Sequence, residues 1–585
     1  MISLWRYLLL PVFITIITLI NCSPLEKEVK MPLLFEGLWK GSYDEYVESP
    51  HIDTVEIREK TPGELEAVIS QLEIPIHSKD NHIDFFSTDR KWGFRGEFSP
   101  EKSTIIGHWI QNGYASPLTF RQVNNSKSRS WLGLPDAKPG KVNLFFEIYR
   151  DITDSIRASL FDREYNLGRS YKDMQVDITG DSLVIYRQRD GARVLWGVMK
   201  NGGLIARTRF DETQVLYLTR TERSLEPELQ PRLTETENYT YIVPETMADG
   251  LETTSLNDVD LSQDKIMELI EELEDEKGFQ KVHSLLIARH ERLVLEEYFY
   301  GYKPSTFHTT RSAGKSITNA LVGIAIDRQF IPDENSAVYP YFNKYDSFQN
   351  WAEGKNNILI KHILTMSSGL ACNDFGDSPG NEDRMQSQKK QPDWSKFILD
   401  LPLENRPGEK TFYCSGGVNL LGDLITQASN LWIPEFLQKY LFDPLGIQNY
   451  YMNLTPTGNG YLAGGIFLKP RDMLKFGQLY LNHGQWQGEQ VISGDWIKKS
   501  FQPWVGINGE KPDYGYLWWY DRFVYRDAKY DSYSASGNGG QFIFVIPKLD
   551  LVVVITGGHY GQFRNWIRFK KMISDYIIPA AISKR

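Results

Sequence analysis

The sequence predicts an α+β protein, in which an all-β N-terminal region precedes a C-terminal domain of mixed helices and strands. Three observations predict this. From about Phe35 to Arg220 the chain is a series of short alternating runs with turn residues between them, such as "WGFRGEFSPEKSTIIGHWI" and "PLTFRQV". After about residue 249 the period-2 pattern gives way to helical patterns, an amphipathic "LSQDKIMELIEELEDEKG" and a mostly apolar "KSITNALVGIAIDRQF". Apolar hairpins stand at both ends of that domain: "HSLLIARHERLVLEEYFYGY", with its turn at His290–Arg292, and "QFIFVIPKLDLVVVITGG", before a closing helix "NWIRFKKMISDYII". Strands at both ends with helices between predict one sheet built from both termini.

The elements follow in order. "MISLWRYLLLPVFITIITLINC" has one basic residue, an apolar run and then Cys22, and looks like a bacterial lipoprotein export signal. Cys22 would be lipidated and become the first residue, although Asn21 stands where a small residue is usual. The alternative is an uncleaved N-terminal anchor. Either reading exports the remainder and leaves it attached to a membrane. Two β-rich units are expected next, over residues 31–125 and 138–222. "STIIGHWIQNGYASPLTFRQV" and "GGLIARTRFDETQVLYLTRT" repeat a strand, polar turn and strand. "FEGLWKGSY" loosely resembles the opening strand of lipocalin-type barrels, so barrel-like or sandwich units are expected. Residues 223–248, rich in proline and acidic residues, read as a linker. Residues 249–585 form the last domain.

Composition removes several function classes. The 585 residues carry a formal charge of −10 with no basic run, which argues against a nucleic-acid partner. Cys22, Cys372 and Cys414 are too few and too scattered to suggest a disulfide framework or a CxxC metal site. No HExxH or comparable ligand spacing occurs, so neither a metal nor a cofactor is expected.

The chemistry concentrates in "RSAGKSITNALVG", Arg311–Gly323. Its "GKS" suggests a P-loop, but the first glycine of that motif is replaced by Thr309, and no buried strand precedes it. The other reading is Ser312-Ala-Gly-Lys315. On a helix, i and i+3 share a face, so Lys315 lies beside the Ser312 hydroxyl. Serine is a weak nucleophile that needs a base, and burial can make a lysine one. At the helix start, free N–H groups favour developing negative charge. Of the other Ser-x-x-Lys strings, Ser99–Lys102 and Ser387–Lys390 fall in a turn and a polar loop. Gly376-Asp-Ser378-Pro379-Gly380 mimics a nucleophile elbow, but Pro379 lacks the N–H that such an elbow needs.

The surrounding text, roughly Asp249 to Ile577, resembles the serine β-lactamase-like family. That family includes class C β-lactamases, DD-peptidases, EstB-type esterases and nylon-oligomer hydrolases. The resemblance is carried in consistent order by the first hairpin, the Ser312 helix, "IKHILTMSSGL", "RPGEKTFYCSGGVNLLGDLI", "AGGIFLKPRDMLKFGQLYLNHGQW", "YGYLWW" and "SASGNGGQFIFVIPKLDLVVVITGG". It implies an antiparallel sheet flanked by helices with a helical subdomain. It also implies Tyr413 as a third catalytic group sharing the proton with Lys315. The family's Lys-Thr-Gly strand reads Ala535-Ser536-Gly537 here, which implies Ser536 and Gly537 beside the substrate. The N–H groups of Ser312 and Asn538 would form the oxyanion hole. Ser415 replaces the asparagine of Tyr-x-Asn, and Ala535 replaces the lysine of Lys-Thr-Gly. Those two family residues help bind β-lactams. Their absence points away from an efficient β-lactamase and toward the esterase and amidase branches.

The expected function is therefore an exported serine hydrolase acting on a small ester, amide or peptide through an acyl-enzyme on Ser312. The alternatives are a cell-wall DD-peptidase and a non-catalytic scaffold with a relic domain. Trp518, Trp519 and His559 could line the pocket. His308 and Arg471 read as structural.

Overall fold

The architecture comes from a computed structural model that describes residues 34–582 apart from 45–50, 62, 124–128, 163–170, 210–211, 233–238, 276–277, 280, 390–391 and 563–565. The expected export signal and Cys22 lie outside the described residues. Among the described residues no helix is long and apolar enough to cross a membrane.

The N-terminal region holds two β-units, but the chain divides between them differently from the expected 31–125 and 138–222. The strand Gly37–Asp44 does not join the sheet that follows it. It pairs antiparallel with Lys141–Arg150 on one side and Leu216–Thr221 on the other. It thereby closes an eight-stranded barrel with Ile156–Asp162, Met174–Thr179, Ser182–Tyr186, Arg193–Lys200 and Gly203–Thr208. Trp39 is fully buried in the barrel core, its ring capped by the Arg220 guanidinium 4.8 Å away. Closure explains the departure: a sheet that lacks one strand leaves two rows of unpaired backbone groups, and Gly37–Asp44 fills both.

The other unit is an open sheet running, in spatial order, Leu72–Pro75, Glu64–Ile69, Val55–Thr61, Ser130–Gly133, Tyr114–Val123, Thr104–Gln111, Trp92–Phe98, His82–Phe86 and His77–Lys79. Its core is aromatic, with Phe85, Phe94, Trp109, Phe120 and Trp131 buried. Ser130–Gly133, beyond the expected boundary at 125, belongs to this sheet.

This open sheet continues into the C-terminal domain. Tyr451–Asn453 pairs with the start of Tyr114–Val123, through Met452 opposite Ala115 and Asn453 opposite Tyr114. Ile466–Leu468 pairs next, and His308–Thr309 after it. His108 reinforces the junction. Its Nε2 lies 2.7 Å from the Tyr450 hydroxyl, and its ring meets Trp432 edge-on. Burial pushes the His108 imidazole down to about 3, so it sits there neutral.

The C-terminal sheet has the order Glu252–Thr253, Arg292–Tyr298, Val282–Arg289, Leu551–Gly557, Gln541–Ile546, Ala528–Gly537, Trp519–Tyr525. Strands from the two ends of the domain meet where Val282–Arg289 pairs with Leu551–Gly557, as the hairpins predict. Both strands are buried along their whole length because helices cover both faces. Gln263–Glu274, capped by Ser262, packs on one face with the closing segment Trp566–Ile582. Gly314–Asp327 and Pro470–Leu481 pack on the other, and Ser415–Ser429 packs against Gly314–Asp327. The segment read as a linker is fastened to this domain. The Tyr241 hydroxyl donates to Val294 O at 2.8 Å, Arg232 pairs with Glu274 and Glu297, and Tyr239 bonds Glu297.

Candidate active site

The helix Gly314–Asp327 is buried from Gly314 to Ala325, so its polar side chains must find partners inside. They find them on neighbouring backbone. Ser316 donates to Leu517 O and Thr318 to Leu462 O, each at 2.7 Å. Lys315, only 1 % exposed, places its Nζ 2.7 Å from Ala463 O and 2.9 Å from Ser312 Oγ. The i, i+3 geometry expected for this pair is therefore present, with Ser312 half-buried at the helix entry.

The turn that delivers Ser312 is strained. Arg311 has φ 48°, a left-handed conformation that costs a non-glycine residue about 1–2 kcal/mol. Its neighbours hold it there. The Thr310 N–H and hydroxyl both donate to Ile466 O, at 2.9 and 2.8 Å. Gly464 and Gly537 pack against the turn from two sides. A Cβ on Gly464 would come 3.0 Å from Arg311 C, and one on Gly537 only 2.4 Å from Thr310 O. The strand Ala528–Gly537 thus needs glycine at its end to reach the nucleophile turn itself.

Asn538 follows directly. Its Oδ1 accepts from the Gly561 N–H at 2.9 Å. Among the described residues, neither the Ser312 N–H nor the Asn538 N–H donates to a backbone carbonyl. His559 supports this corner from behind, its N–H donating to Gly539 O at 2.8 Å.

Tyr413 lies over Lys315, with the ammonium 5.1 Å from the ring centroid. It is 7 % exposed and enclosed by aromatics: Trp519 stacks on it at 5.9 Å, Phe375 leans on it at 5.6 Å, and Tyr514 meets it edge-on. Trp519 therefore belongs to the site. Trp518 does not; it is fully buried among Phe476, Tyr480 and Phe501.

Other candidates fall into supporting places. Ser415 is 1 % exposed at the first turn of its helix, and its N–H donates to Asp374 Oδ2 at 2.8 Å. Ser536 is buried, with its hydroxyl 3.0 Å from that of Ser534. Ala535 is fully buried in the core, so no cation replaces the family's lysine at that position. His308 faces His283, Nε2 to Nδ1 at 2.9 Å. Arg471 is a structural ion-pair residue bridging Glu296 and Asp249. Ser378 donates to Ala371 O, as expected of a turn residue.

Two features were missed. Cys372 and Cys414 form a disulfide with Cα atoms 5.5 Å apart, a single bridge that the sequence reading did not anticipate. Fold topology brings them together across 42 residues, and spacing alone carries no sign of it. Asp374, two residues on, is largely buried. Burial pushes its carboxyl up, and the Lys315 ammonium pulls it partly back. The signal that could have found both is their position, inside or beside the two segments "MSSGL" and "RPGEKTFYCSGG" that carry the site.

The N-terminal open sheet reaches this neighbourhood. A cavity of about 450 Å³ has walls from Tyr114 and Lys138 on one side and from His308, Arg311 and Tyr560 on the other.

A 6-aminohexanoate-dimer hydrolase from Paenarthrobacter ureafaciens is 22% identical over 315 residues, 48% of this chain and 74% of that protein. Among solved structures, the penicillin binding protein from Bacillus halodurans aligns at 15% identity over 50% of this chain and 96% of its own, with a TM-score of 0.39. The octameric penicillin-binding protein homologue from Pyrococcus abyssi aligns at 18% over 55% and 77%, with a TM-score of 0.41. Residues 268–560 match the family Beta-lactamase. The Ser312 helix, the Tyr413 turn and the Gly537 strand all fall within that span, and the chain belongs to the beta-lactamase family as a hydrolase of that fold.

Proposed function

We propose that the chain is a serine hydrolase that cleaves ester or amide bonds in two steps through an acyl-enzyme on Ser312. The observation that carries this reading is the buried Lys315 Nζ, 2.9 Å from Ser312 Oγ and beneath the Tyr413 ring. Ser312 Oγ attacks the carbonyl, and its proton passes to the Lys315–Tyr413 pair. The N–H groups of Ser312 and Asn538 hold the oxyanion. The phenol returns the proton to the leaving group, and water then releases the acyl group. No cofactor takes part.

The relative named above acts on an aminohexanoate dimer, which supports an amide or ester in place of a β-lactam as the substrate class. The buried Ala535 supports the same choice, because it offers no cation to a β-lactam carboxylate. A complete Ser312–Lys315–Tyr413 set favours an enzyme over a relic scaffold. Export with a lipid on Cys22 is part of the same proposal. The Cys372–Cys414 disulfide supports it, since such bonds persist in oxidising compartments.

Ser312→Ala is expected to abolish both turnover of nitrophenyl esters and labelling by a fluorophosphonate probe. Full activity in that variant would sink the reading. Release of D-alanine from peptidoglycan fragments at a rate above ester turnover would favour the DD-peptidase alternative.

A further inference from the structure

The segment from Met366 to Asp374 grips both sides of Tyr413. Met366 O accepts the Phe412 N–H at 2.9 Å, and the Asp374 N–H donates to Tyr413 O at 2.8 Å. Cys372 is bonded covalently to Cys414. The Asp374 carboxylate completes the grip. Oδ2 accepts the Ser415 N–H at 2.8 Å, and Oδ1 accepts the Glu382 N–H at 3.1 Å. Each of these N–H groups lies in the first turn of a helix, Ser415–Ser429 and Glu382–Gln386. A carboxyl group there satisfies one orphan N–H donor at each of the two helix starts. The same carboxylate is near enough to Lys315 to feel its charge.

We propose that Asp374 is a positioning residue for the acyl-transfer reaction: with the Cys372–Cys414 bond it fixes the Tyr413 turn against Lys315. This rests on the Ser312 acyl-enzyme reading. The charged and titratable groups around the pair are Lys315 and Glu382 on either side of Asp374, Tyr461 bonded to Glu382, and Tyr413 over Lys315 backed by Tyr514.

Asp374→Asn keeps the volume but loses the charge and one of the two acceptors. The expected result is a kcat reduced roughly 100-fold by a displaced Tyr413, with KM little changed. Asp374→Glu restores both acceptor oxygens and should recover part of that kcat. Ser415→Pro tests the grip with Asp374 intact. Proline suits the first helical position and removes only the N–H that Asp374 accepts, apart from the hydroxyl. It should lower kcat, while Ser415→Ala, which keeps the N–H, should lower it far less. Wild-type kcat in Asp374→Asn, or a raised KM with kcat unchanged, would overturn the proposal. Equal activity of Ser415→Pro and Ser415→Ala would do so as well. Fluorophosphonate labelling of the wild-type protein keeps the two readings apart. No labelling at Ser312 defeats the hydrolase reading itself, whereas labelling with an indifferent Asp374 defeats only this inference.

Discussion

The two arms of the candidate site are built in opposite ways. Ser312 and Lys315 stand at the start of one buried 14-residue helix, and their spacing follows from the helix repeat. Tyr413 stands in irregular backbone before the helix Ser415–Ser429, and no local repeat fixes it. It is held instead by a disulfide, a carboxylate and an aromatic enclosure contributed by segments far away in sequence. The contrast teaches that the Ser312–Lys315 spacing comes from local helical geometry, with the Arg311 turn braced by Ile466, Gly464 and Gly537, whereas the tyrosine arm is placed by tertiary ties alone. The spacing of the first pair should survive changes elsewhere; the second arm should be sensitive to each tie.

The largest effect expected is chemical. Lys315→Met, which keeps the length of the side chain, should lower kcat/KM by about 10⁴-fold while the thermal midpoint holds, since a positioned acid–base group contributes up to that much. Steady-state ester hydrolysis beside a thermal melt checks it. A loss of tenfold or less would break the idea that the helix arm supplies the base.

Next comes the staple. Replacing Cys372 and Cys414 together by alanine should lower unfolding free energy by about 4 kcal/mol for a closed loop of this length. Urea titration measures that loss. Slow labelling of Ser312 should survive in this variant, because the helix arm does not depend on the bond. Complete loss of labelling in the folded protein would erase the distinction between the arms.

Tyr413→Phe should cost about 10²-fold in kcat, the lower end for a proton-transfer group, since Lys315 remains. The ring can still stack on Trp519, so stability should hold. An effect equal to that of Lys315→Met would show the two arms acting as one unit.

The smallest effect expected lies at the junction with the open sheet. His108 is held near 3 when folded, against an ordinary value of 6.5. The unfolded chain therefore binds a proton that the folded chain refuses between those values. Stability is fully present above pH 6.5 and falls as the pH drops toward 3. At pH 5 the loss should be about 2 kcal/mol, at 1.4 kcal/mol per pH unit. Thermal melts at pH 7 and 5 check it, with His108→Gln expected to remove that part of the slope. An unchanged slope would free the junction from His108.

Much of the catalytic domain was legible in the sequence. The pair Ser312 and Lys315 is an i, i+3 relation, and helix geometry converts it directly into contact. The hairpins at both ends predicted their own meeting because each is a continuous apolar run that must be covered on both faces. The N-terminal boundaries were not legible in the same way. Gly37–Asp44 alternates as any strand does, and nothing in its own residues says that its partners begin at Lys141 and Leu216. Trp518 and Trp519 are neighbours in sequence with opposite fates, one in the core and one on Tyr413, because successive side chains leave opposite faces of extended backbone.

What the sequence determined by itself was therefore local: the helix that presents Ser312 to Lys315, the strands and turns around it, and the glycine at 537. Only the tertiary structure decided which strand closed the barrel, that Cys372 would meet Cys414, and that Asp374 would stand beneath the tyrosine turn. The physical reason is that repeat geometry relates residues three or four apart. Contacts across 42 or more residues are chosen by how whole elements pack, and no short stretch of sequence encodes that choice.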